Sequence, residues 1–216
     1  MTSANRLRRA LALSLALVAP LCHADAPRTL MWADLVPKLT AADNPFAKLD
    51  KEQLVQLTTI ATVRDRKARG DTTLSALELA DERALSRELT KSGVDVEGLL
   101  AKRKQMAQQA NAALDGQTIR LPGYLLPLEF SGKRVTEFLL VPWVGACIHT
   151  PPPPPNQIVH VKTDKPFEMS GVFQPIWVTG HLAAKPSKQS LYLVDGTSNI
   201  SIGYTLDASN VEPYRE

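Results

Sequence analysis

Between Leu114 and Ile119 the hydrophobic period of the chain changes, and this change limits the possible folds more than any motif does. Upstream, apolar residues recur three and four apart, as one face of a helix requires; downstream they alternate, as a half-buried strand requires. A pattern written for one period does not hold the other. Helices followed by strands, without βαβ alternation, mean an α+β protein and not a doubly wound parallel sheet. The upstream part divides at its caps. Asp50 with Gln53 three residues on is a capping box, and Leu54, Leu57, Ile60 and Ala61 follow at helical spacing up to Gly70. Ser75 with Glu78 repeats the signature, and Leu77, Ala80, Ala84 and Leu85 form the expected apolar face of a second helix ending near Gly93. Asp95 opens a third, lined by Leu99, Met106, Ala110, Ala113 and Leu114 and followed by Gly116. Two or three antiparallel helices are expected within 25–115. The run Lys102-Arg103-Lys104 reads as a solvated face.

In the strand part, Ile119 and Leu121 alternate with Thr118 and Arg120, Pro122-Gly123 interrupts, and 124–128 resumes. A long strand bent at a glycine suits the first strand of a small barrel. Further strands are expected at 135–141, 158–161, 172–182, 191–194 and 200–206, with Asp195-Gly196 as a turn. Trp177, between Ile176 and Val178, is expected in the core. Five or six short strands in residues 116–216 predict a small OB-like β-barrel. The helix that OB barrels usually carry between their third and fourth strands has no room between Thr163 and Gly171.

The amino terminus reads as an address. Arg6, Arg8 and Arg9 precede an apolar run from Ala10 to Leu21 of about a dozen residues, short of the ~20 that span a bilayer. Small residues at Cys22-His23-Ala24 complete a secretory signal, residues 1–24, with cleavage after Ala24 and a mature chain beginning at Asp25. The expected location is the periplasm, with no membrane span in the mature chain. Three of the 25 Lys and Arg residues leave with the signal and none of the 22 acids does, so the mature chain is neutral. That excludes the basic excess on which phosphate-backbone binding depends, so no nucleic-acid partner is expected. Of two cysteines only Cys147 remains, so no intramolecular disulfide forms.

Chemistry is concentrated in one segment: Trp143-Val144-Gly145-Ala146-Cys147-Ile148-His149-Thr150, five prolines at 151–155, then Asn156-Gln157. Consecutive prolines favour a stiff polyproline II rod without backbone donors. In an extended chain Cys147 and His149 share a face, with Cβ atoms ~6.5–7 Å apart. Thiolate and imidazole suit zinc or copper, so Cys147, His149, His160 and His181 are the candidate metal ligands. Alternatively Cys147 is a nucleophile with His149 as base, or a small buried thiol. The sequence contains no Gly-x-Ser-x-Gly elbow, His-Glu-x-x-His or phosphate loop. Trp143, Cys147, His149, Asn156 and Gln157 are the candidate binding residues.

Leu114-Asp115-Gly116, the run from Leu121 to Glu129, the run from Phe138 to Pro142 and above all the segment from Cys147 to Gln157 make the chain resemble domain of unknown function 3299, a family of exported bacterial proteins. The motifs cover roughly 110–182. The resemblance implies an exported protein found beside transporter components of the lipoprotein-release type, sometimes in metal-linked contexts, and it lends no catalytic residues. The expected role is a periplasmic, non-catalytic accessory or binding protein with a protein partner in a transport or envelope system. The alternatives are a zinc or copper protein using Cys147 and His149, and a thiol enzyme.

Overall fold

The structure is a computed structural model that describes residues 26–131, 134–146, 152–193 and 196–215, with backbone alone at 129–131, 191–193 and 196–198. The expected signal, residues 1–24, lies outside the described residues. Three α-helices occur among them: α1 Lys51–Ala68, α2 Ala76–Lys91 and α3 Val96–Ala107. Local capping sets where each begins. Asp50 accepts from the Gln53 N–H at 2.8 Å while Gln53 accepts from the Asp50 N–H at 3.1 Å. Ser75 and Glu78 reciprocate in the same way, and Asp95 accepts from Gly98. The helices share a small core of Leu57, Ile60, Leu89 and Val96, flanked by Leu85 and Leu99.

Of the expected face of α2 only Leu85 packs into this core. Leu77 is 70% exposed, and Ala80 and Ala84 also face solvent. The helix is turned so that Glu78 and Glu82 meet Arg66 and Arg64 of α1, at 2.5 and 2.7 Å, with Leu85 and Leu89 following on the same side. Cross-helix ion pairs and the Leu85–Leu89 contact share one side of the helix.

Eight strands occur among the described residues: β1 Arg28–Thr29, β2 Thr118–Ser131, β3 Arg134–Val141, β4 Val159–Glu168, β5 Pro175–Ala183, β6 Ser187–Leu193, β7 Gly196–Ile202 and β8 Tyr204–Pro213. Five of them form a closed barrel in the order β2-β3-β4-β8-β5, returning to β2. All neighbours in the barrel are antiparallel except β4 and β8. Closure depends on β2, which pairs with β5 from Thr118 to Tyr124 and with β3 from Tyr124 to Ser131. The partner changes beside Gly123, where a Cβ would stand 2.7 Å from Leu140 Cγ and 2.9 Å from the Trp32 ring. Glycine there lets Leu140 and Trp32 pack directly against the backbone. Ile119, Leu121, Leu125, Phe138, Leu140, Val159 and Val161 fill the inside with Ile176, Val178 and Leu206.

β6 and β7 form a hairpin between β5 and β8 that lies on the outside of the barrel. Its Ile200 and Ile202 pack with Leu126, Leu139, Val141 and Ile158 in a second apolar cluster. The strand expected over 200–206 is therefore two, because the chain breaks at Gly203. The Gly203 N–H donates to the Pro155 carbonyl at 2.7 Å, and a Cβ at that glycine would approach the same oxygen to 2.7 Å. Trp177 likewise departs from expectation. It is half-buried and stacks on Tyr214 at 5.4 Å, with the Arg120 guanidinium 4.2 Å from its ring centre. Ile176 and Val178 point into the barrel, so strand alternation puts Trp177 outside.

Tyr204 anchors the remaining segments. Its ring belongs to the barrel core, its hydroxyl donates to the Leu35 carbonyl and accepts from the Asn111 N–H at 2.5 Å. Asn111 in turn donates from Nδ2 to the Asp34 carbonyl at 2.9 Å. Burial raises the Tyr204 pKa above its ordinary value.

Candidate functional site

β3 ends at Val141, buried, and the chain turns through 142–145 before Ala146, also buried. Gly145 has φ 81°, in the region that favours glycine. The turn holds Trp143 at 40% and Val144 at 58% exposure, just past the end of β3. Cys147 and His149, the expected thiol–imidazole pair, lie outside the described residues.

From Pro152 the chain is described again. Pro153 is buried, and Pro154 has φ −59° and ψ 150°, the polyproline II conformation. Pro155 leaves the rod and opens a 3-10 turn, Pro155–Gln157. A proline φ near −65° serves either conformation, so the residues that follow decide. Here Asn156 decides. It is 2% exposed, and its Nδ2 donates to the carbonyls of Met106 at 3.2 Å and Gln109 at 3.3 Å. Met106 belongs to the last turn of α3 and Gln109 follows its C-cap, so both acceptors lie where the helix ends. Asn156 thus clasps the helical segment to the proline segment. The Gln157 N–H closes the turn on the Pro154 carbonyl at 2.8 Å.

Past this turn, β4 carries His160 on the outer face of the barrel, beneath the β6–β7 hairpin and 3% exposed. Its Nε2 is 2.5 Å from Glu137 Oε1 on β3, and its Nδ1 is 3.4 Å from Gln189 Nε2 on β6. A neutral imidazole protonated on Nε2 satisfies both contacts, donating to the carboxylate and accepting from the amide. Burial holds the His160 pKa below its ordinary value, against the opposing pull of Glu137. Lys162 Nζ stands 3.5 Å from the same Glu137 oxygen. His181 lies elsewhere, exposed on β5, with its Nδ1 3.1 Å from Thr118 Oγ1. β8 runs between the strands of the two histidines. Among the described residues no three His, Cys, Asp or Glu side chains converge on a position for a metal ion.

Glu137, Lys162 and Gln189 surround His160 without being singled out by the sequence. Glu137 and Lys162 become neighbours only through the β3–β4 register. Gln189 arrives only because the hairpin folds back, and no local spacing signals either.

A family model described as "Protein of unknown function (DUF3299)" matches residues 32–213. The chain belongs to this family. The DUF3299 match takes in α1–α3, upstream of the motifs that carry the resemblance, so helices and barrel are both parts of the family's architecture. Among solved structures, the chain is similar to a DUF3299 family protein from Pseudomonas aeruginosa PAO1. The two are 33% identical, with 88% of this chain and 98% of that chain covered and a TM-score of 0.49. No curated protein matches. No helix among the described residues is long and apolar enough to cross a membrane.

Proposed function

We propose that this DUF3299 protein is an exported, non-catalytic binding module that engages a protein partner of a transport or envelope system through the Trp143–Val144 turn. The observation that carries this reading is the exposure of an indole and a β-branched side chain together on a short turn, braced by buried Val141 and Ala146. Rigidly presented aromatic and aliphatic side chains are what protein-interface anchors are made of. The neutral charge of the chain after residue 24 favours a protein over a nucleic acid.

The barrel is proposed to be of OB type. Its strand order and its single parallel pair support that reading. OB barrels bind ligands on the outer face of their second and third strands, β3 and β4 here. That face is occupied by the β6–β7 hairpin, through Ile200, Ile202 and the His160–Gln189 contact. Binding in this protein therefore moves to the rim.

Site-specific photocrosslinking in the native host tests the partner. A photoreactive residue at Val144 is expected to give a discrete adduct with an envelope protein, and one at exposed His181 is expected to give none. Equal or absent adducts overturn the proposal. N-terminal sequencing of the fractionated protein tests export, with Asp25 expected as the first residue and intact Met1 contradicting it.

A further inference from the structure

The Trp143–Val144 turn is anchored at both ends in one apolar cluster. Val141, the last residue of β3, and Ala146, just past the turn, are fully buried there beside Leu139 and Ile158. Ile200 and Ile202 of β7 belong to the same cluster, at 4% and 1% exposure. Phe173 packs against it at φ 59°, a strained value for an aromatic residue.

The hairpin that brings Ile200 and Ile202 is a separate body. Among the described residues β6 and β7 pair with each other and with no barrel strand, so no backbone ladder holds them to the barrel. A backbone bond from Gly203 to Pro155 ties the base of the hairpin to the 3-10 turn. A two-stranded hairpin is at best marginally stable alone, so its order depends on its seat. Cross-strand partners share a face, which puts Ser187 and Gln189 on the seated side with Ile202 and Ile200; Lys188 and Ser190 are exposed on the other. The seat is apolar and poor in polar bonds. Gln189 reaches His160 at 3.4 Å, and the Ser187 hydroxyl is buried with no hydrogen-bond partner. Water satisfies that hydroxyl when the hairpin lifts, so it disfavours the docked form.

We propose that the hairpin controls the partner site. Docked, Ile200 and Ile202 brace Val141 and Ala146 and hold the Trp143–Val144 turn in its presenting form; lifting the hairpin relaxes the turn and lowers partner binding. This inference rests on the reading of that turn as the partner site and adds its regulation. A contiguous set of packed side chains is the physical means by which two such places are coupled.

The test uses the mature chain with 5-fluorotryptophan at its three tryptophans, followed by fluorine NMR and amide hydrogen exchange. Trp32 packs on the barrel core and Trp177 stacks on Tyr214, so both serve as internal controls. Ile200→Val and Ile200→Ala are expected to move the Trp143 signal progressively, with Trp32 and Trp177 unmoved. Exchange in β6 and β7 is expected to rise about tenfold or more in Ile200→Ala. Ser187→Ala is expected to slow that exchange and leave the Trp143 signal where it is in the parent. The proposal is overturned if Trp143 stays at its parent position in Ile200→Ala, if Trp32 and Trp177 move as far, or if hairpin exchange fails to rise. In the photocrosslinking assay Ile200→Ala is expected to cut the Val144 adduct about tenfold at equal protein level. A parent without adduct defeats the partner reading. A parent adduct that persists undiminished in Ile200→Ala defeats the control and leaves that reading standing.

Discussion

Replacing Tyr204 by phenylalanine removes the acceptor of the Asn111 N–H and the donor to the Leu35 carbonyl while leaving the ring in the core. Two polar groups lose their partner at once, so a loss of about 1–3 kcal/mol is expected. The urea midpoint should fall with the slope unchanged, because the same surface is exposed on unfolding. Gly203→Ala acts by the opposite route. It adds an atom 2.7 Å from the Pro155 carbonyl oxygen, which is backbone and yields little. A loss of about 1–3 kcal/mol is expected from this overpacking, read in the same experiment. Residue by residue, the sequence reveals what acts locally. The Asp50–Gln53 and Ser75–Glu78 boxes span three positions and are legible without a fold. His160 is visible as a residue, but its partners are not. Glu137 and Gln189 are 23 and 29 positions away and meet it only after sheet and hairpin have formed.

Among elements, the α1–α2 pair adds charge to its apolar core. The Thr73 hydroxyl and then Arg66 hold the Asp71 carboxyl at about 2. The Ser75 N–H and hydroxyl, then Arg66, hold Glu78 at about 2. Both lie below their ordinary values of 3.8 and 4.5. As pH falls the unfolded chain takes up these protons first. The stabilisation is therefore complete above about 4.5 and is lost as pH falls towards 2. Thermal melts followed by helical circular dichroism should show Tm falling through that window. Arg66→Gln, which touches both carboxylates, should make the fall shallower. The buried face of α2 was only partly legible in its apolar stripe, because the side that meets Arg64 and Arg66 also carries Glu78 and Glu82. The break at Gly203 was hidden for a like reason, since it answers to Pro155 across the fold. In the proline segment, replacing Pro152, Pro153 and Pro154 by alanine frees the unfolded chain. It should cost ~0.4–1 kcal/mol at each compatible position.

For the whole molecule, the question is what makes helices and barrel one cooperative unit. The helical core is small, and its ties to the barrel include the Asn156 clasp and the Tyr204–Asn111 contact. All three tryptophans lie outside α1–α3, so fluorescence reports on the rest of the chain and circular dichroism at helical wavelengths reports on the helices. In the parent the two unfolding curves should coincide. In Asn156→Ala the helical curve should move to lower urea and separate from the fluorescence curve. Coincident curves in the variant would mean that the clasp is dispensable. The strand-to-helix division was legible from periodicity because each part buries its own side chains, but these ties cross the division and leave no periodic trace.

The position of β8 between β4 and β5 carries a consequence for synthesis. Among the described strands it is the last in chain order, yet it sits in the interior of the strand order. Until it arrives, β4 and β5 each have an unpaired edge, and the nascent chain has a curled sheet with no means of closing. Such edges invite pairing with other chains. A premature stop near Gly203 would therefore leave a sticky fragment, with the facing edges of β4 and β5 open for want of β8.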